Sequence, residues 1–140
     1  MLVAGCAATP PALQDIDIPL RNPTARVASQ VDADLSRLDG EWIVVKGAGI
    51  APGAKLGFSR GTLAVNGVVL PLVDKGQGRL DLNGDALWVH WLDADNRTAA
   101  LGDPGGGRVW IMDRTGRPGE RLRAAQDILK WYGYDLSRME

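Results

Sequence analysis

The sequence predicts an all-β fold: an up-and-down antiparallel barrel of about eight short strands, with one C-terminal α-helix packed outside. Three observations predict it. The 18 glycines are scattered along the chain, which suits tight turns between short strands better than a helical bundle. Asn66-Gly67 and Asn83-Gly84 are the dipeptides that accept positive φ in a type I′ hairpin turn. Finally, the apolar runs follow one another at hairpin spacing, and a meander of this kind exposes two edges unless it closes on itself.

With 140 residues and 45% apolar content, the chain suits one domain with a single core. Its formal net charge of −1 supplies no basic field and excludes a nucleic-acid surface. Residues 1–33 read as an N-terminal linker and residues 34–140 as the barrel domain. Within the first part, "AATPP" (7–11) is a stiff spacer, and the stretch to about residue 31 has no sustained period, so it should lie over the surface.

The strands follow in order. "EWIVVK" (41–46) is a compact apolar run, and a glycine-rich loop through Gly53 leads to "KLGFS" (55–59) and "GTLAV" (61–65). The two Asn-Gly turns and a longer turn over 74–78 delimit "VVLPLV" (68–73), "RLDL" (79–82) and "ALWVHWLD" (86–93). A turn over 93–96 precedes "TAAL" (98–101), and the glycine-rich turn over 102–107 precedes "RVWIMD" (108–113). Leu122, Ala125, Ile128, Leu129 and Tyr132 then recur at helical spacing, with Pro118 suited to the first turn and Gly133 placed to end the helix. Its apolar stripe must face the outside of the barrel.

No catalytic constellation accompanies these elements. His90 is the only histidine and has no serine or cysteine partner in a recognisable motif, so it reads as a barrel-wall residue and the protein as no enzyme. Cys6 and His90 alone make no zinc site, and neither a metal nor a cofactor is expected. "KGAGIAPG" (46–53) fails as a dinucleotide fingerprint because Pro52 stands in the last glycine's place and strand-like sequence follows.

Two resemblances go further. Val3-Ala4-Gly5-Cys6 resembles the bacterial lipobox, in which the cysteine is lipidated; only five residues precede it here, shorter than a signal peptide. That resemblance implies a lipid anchor on Cys6 and an outer-membrane lipoprotein facing the periplasm. "LDGEWIVV" looks like the Gly-x-Trp signature that opens the first strand of lipocalins. "LWVHWLDADNRTAALGDPGGGRVWIMDRTGRP" is similar to the last strands of bacterial lipocalin lipoproteins, and "GYDLSRM" resembles their chain after the helix. The match covers 34–42 and 87–139.

The lipocalin resemblance implies that Arg114, ending the last strand, crosses the closed base and packs on Trp42. It also implies non-catalytic binding or transport of a small apolar, lipid-like ligand. Period 2 turns either Trp88, His90 and Leu92 or Leu87, Val89 and Trp91 inward, with no mixture unless a bulge intervenes. The first set is expected to line the ligand site with Val44 and Trp110, because a lone imidazole among apolar neighbours would orient a ligand's polar end. Loops 47–54 and 102–107 would form an open mouth. Yet residues 46–85 are markedly fewer than in the family, and a barrel of eight short strands is filled by side chains or holds one small ligand. The alternative is therefore a filled barrel serving as a structural or protein-interaction module of the envelope, without a pocket. The sequence names no protein partner.

Overall fold

The structure is a computed structural model that describes residues 11–140, so the lipobox-like segment and Cys6 lie outside it. Eight antiparallel strands close into a barrel in which each pairs with its sequence neighbours and the last returns to the first. They are β1 (Gly40–Ala48), β2 (Lys55–Ser59), β3 (Thr62–Val65), β4 (Val68–Asp74), β5 (Arg79–Leu82), β6 (Asp85–Leu92), β7 (Thr98–Gly102) and β8 (Val109–Asp113). A short helix α1 (Leu35–Leu38) precedes β1, and α2 (Arg121–Trp131) follows β8.

Turn chemistry sets the registers. Asn66 and Gly67 have φ of 48° and 84°, and Asn83 and Gly84 have 52° and 97°, so both two-residue hairpins take the left-handed backbone that their residues tolerate. Closure comes from β1 against β8, with Ile43 opposite Asp113 and Ala48 opposite Val109, across a bulge between Val44 and Lys46.

Alternation divides each strand between two environments. Trp42 and Val44, Leu56 and Phe58, Leu63 and Val65, Leu80 and Leu82, Ala99 and Leu101, and Trp110 and Met112 all belong to the interior cluster. On β7 and β8 the outward residues are buried too, because α2 lays Ala125 and Leu129 on Ala100 and Ile111. Two-sided burial is why these strands read as nearly continuous apolar runs. Arg121 ties the start of α2 to the barrel, donating from Nε to Thr98 Oγ1 at 2.7 Å and lying 3.7 Å from Asp113. The helix begins three residues beyond Pro118, whose carbonyl accepts from Arg121 N–H in the preceding turn. Gly133 ends it with φ of 89°.

Residues 11–33 do run over the surface, but as a strap fastened at intervals. Leu13 bridges Ile50 at one end of the barrel, and Arg21 bridges Tyr134 at its side. Leu20, Arg21 and Ala33 are buried. The guanidinium of Arg21 donates to the carbonyls of Tyr132, Pro104 and Ala25, which accounts for its burial without a carboxylate. Single anchors of this kind leave no periodic trace in the sequence.

Candidate functional site

The base of the barrel is built around Arg114. Its guanidinium carbon lies 3.8 Å from the centroid of the Trp42 ring. The same group donates to four backbone carbonyls, of Asn96 (2.9 Å), Asp39 (2.8 Å), Glu41 (3.2 Å) and Arg37 (3.1 Å). Trp42 in turn donates from Nε1 to Leu38 O at 2.7 Å. Arginine is suited to this place because its planar fork offers five donors while its face stacks on an indole. Gly40 has φ of 102°, and a Cβ there would approach Arg114 Nη1 to 3.3 Å, so the turn entering β1 favours glycine on both counts.

Of the residues expected to line a ligand site, Val44, Leu92 and Trp110 point inward and are 0–3% exposed. Trp88 and His90 do not join them, which corrects the expected lining. The inward set on β6 is Leu87, Val89 and Leu92, a mixture made possible by a bulge between Val89 and Trp91. The bulge is held from the strap: Gln30 accepts from Leu92 N–H at 2.9 Å through Oε1 and donates to Leu92 O at 3.3 Å through Nε2, while its own N–H donates to Val89 O at 2.7 Å. An extra residue on one strand re-aims all that follow. Trp88 lies instead beneath Arg79, whose guanidinium carbon is 4.1 Å from its ring.

The interior itself is packed. A ligand-sized void of about 300 Å³ or more would leave its walls in contact with water-sized space even if sealed. The wall residues Leu63, Val89, Ala99, Leu101, Trp110 and Met112 are all 0% exposed. The one indole N–H buried at this level, that of Trp110, is met by the Met112 sulfur at 3.3 Å. The expected open mouth is also closed. Ile50 and Ala54 of the β1–β2 loop are buried in the core, and Ala12 and Leu13 of the strap pack against it. Backbone bonds from Gln14 N–H to Gly49 O (3.0 Å) and from Ala51 N–H to Ala12 O (2.8 Å) hold this cover. On the other glycine-rich loop, Gly106 O accepts from Leu20 N–H at 2.8 Å.

His90 occupies a polar pocket between barrel and strap. Its Nδ1 lies 2.7 Å from Ala28 O and its Nε2 lies 2.8 Å from Tyr134 Oη. A carbonyl only accepts, so Nδ1 carries the proton and Nε2 accepts from the tyrosine hydroxyl. Burial lowers the imidazole pKa to about 4, the Ala28 carbonyl partly opposes this, and the charge of Arg21 adds to it. Burial likewise raises the Tyr134 phenol. With both ring nitrogens engaged and 3% of its surface exposed, His90 is placed to hold the strap and not to meet a substrate.

Concave surface lies outside the barrel. At the base, a groove of about 650 Å³ runs between α1, the β2–β3 turn and the end of β4, lined by Asp34, Leu35, Asp39, Arg60, Leu72, Val73 and Asp74 among others. A smaller hollow of about 230 Å³ sits at the covered mouth beside Asp85, Asp103 and Arg108. The sequence reading did not single out the base groove. Its available signal was "VVLPLV", where apolar residues fill the outward positions that a water-facing barrel strand normally gives to polar ones.

Among the described residues, no group of three or more His, Cys, Asp or Glu side chains is arranged to hold a metal ion. None of the described helices is long and apolar enough to cross a membrane. The chain matches no protein-family model and no curated protein.

Proposed function

We propose that the protein is a divergent, shortened lipocalin-like barrel that acts as a non-catalytic protein-interaction module of a bacterial envelope. It works through its outer surface and is tethered by an acylated Cys6. The packed interior is the observation that carries this reading. With inward residues of every strand in mutual contact and the mouth covered by Leu13 and Ile50, an acyl ligand would have to displace core side chains to enter. The lipocalin-like origin is supported by the closed eight-stranded topology, the helix after the last strand, and the stacking of Arg114 on Trp42.

Titration of the folded protein with a fluorescent fatty acid tests the reading. The expected result is no saturable quenching of tryptophan emission and no rise in melting temperature. Stoichiometric binding of the probe would return the barrel to the carriers of small apolar ligands. The tether is tested separately: labelled palmitate should enter the full-length gene product and be absent from Cys6→Ser.

A further inference from the structure

We infer that the groove at the barrel base docks a short basic segment of a partner protein, seating an apolar side chain on Leu35, Leu72 and Val73 and Lys or Arg side chains against Asp34, Asp39 and Asp74. The inference rests on the interaction-module reading and deepens it by naming the partner's chemistry. Helix α1 covers the base unevenly. Leu38 is fully buried at its inner side, whereas Leu35 is only half-buried at the edge of the groove.

The floor is apolar where water should favour polar residues. Val73 is 54% exposed, and the same outward face of β4 continues through exposed Pro71 to Val69, which is 63% exposed. Among the described residues, three of the six exposed large apolar side chains belong to this one strand, Val69 and Val73 on its outward face and Val68 at its start. Concentration on a single strand marks a contact surface, whereas scattered apolar residues would need no explanation.

The rim supplies the charge. Three carboxylates, of Asp34, Asp39 and Asp74, outnumber the guanidinium of Arg60 along the groove, with Arg114 a second cation on the Asp39 side. None of them is ion-paired, since the salt bridges among the described residues engage Asp32, Asp85 and Asp113 instead. An apolar floor inside an acidic rim matches lysine or arginine, whose aliphatic stem covers apolar surface while its head reaches a carboxylate. The same rim repels an anionic lipid surface. The apolar row from Val73 to Val69 spans about 13 Å at strand rise, a length that suits an extended peptide better than a compact cation.

The test uses the folded chain, isotope-labelled, and the blocked hexapeptide Lys-Leu-Lys-Leu-Lys-Leu. Saturable shifts are expected at the amides of Leu35, Gly61 and Val73, weakened at least tenfold in Asp39→Asn/Asp74→Asn and reduced by added salt. The counterpart with Glu in place of Lys should leave these amides unmoved. Shifts spread over the whole surface, or undiminished in a double variant whose spectrum shows it folded, overturn the docking site. Equal shifts from spermidine overturn the peptide as occupant. If the groove stays silent while the fatty-acid probe also fails to bind, the docking site falls and the module reading stands; binding of the fatty acid removes the module reading itself.

Discussion

Tyr134 donates its hydroxyl hydrogen to His90 Nε2 across 2.8 Å, and this bond exists only while the imidazole is neutral. The folded-state pKa of about 4 lies below the ordinary imidazole value of 6.5. The unfolded chain therefore binds the proton first as pH falls. The stability that comes from keeping His90 neutral is fully present above about pH 6.5, declines below it, and is lost as pH falls through about 4; the whole is worth about 3 kcal/mol. Urea midpoints measured from pH 7 to pH 4 should fall accordingly, and His90→Gln should flatten this part of the profile. An equal slope in the variant would assign the acid sensitivity elsewhere.

The stack at the base predicts coupling. Trp42→Leu and Arg114→Leu should each destabilise the barrel, and the double-mutant cycle should return roughly 0.5–2 kcal/mol of interaction between them. Arg114→Lys keeps the charge but cannot reach four carbonyls, so it should recover little of the loss. Strictly additive losses would show that the two side chains act separately.

Gln30 makes a sharper prediction, because its side chain serves one backbone position. Gln30→Ala removes both amide contacts to Leu92 and should destabilise by about 1–3 kcal/mol. Hydrogen exchange at the Leu92 amide should accelerate more than at Leu87, whose β5 pairing with Leu80 is unaffected. Uniform acceleration across β6 would mean that the bulge persists without its clasp.

A packed interior also fixes the size of a truncation effect. Leu101 is fully buried among interior side chains, so Leu101→Ala should cost about 2–5 kcal/mol, the range for a core leucine whose surroundings cannot collapse fully. A loss near the low end of ordinary surface substitutions, measured by chemical denaturation, would point to space already present beside it.

Both Asn-Gly hairpins and the helix stop at Gly133 were readable in the sequence because each depends on the local backbone freedom of one or two residues. The inward turn of Leu92 beside Leu87 and Val89 was not, since the bulge that re-aims it is clasped by Gln30, far away in the chain. Nor did the Trp88 ring announce its direction: an aromatic serves equally well inside a barrel or under a surface arginine such as Arg79. The base groove escaped because its lining comes from α1, the β2–β3 turn and β4, which only the closed barrel brings together.

The course of the strap has a consequence for orientation at a bilayer. Its first fastened residues, Ala12 and Leu13, lie on the β1–β2 loop, at the end of the barrel opposite Arg114. From an acyl anchor on Cys6, the five residues to Pro11 reach at most about 18 Å when fully extended. So tethered, the barrel would hang with its covered mouth toward the lipid and its acidic base toward the aqueous compartment. There the base would meet only partners that approach from the far side, or from an opposing membrane.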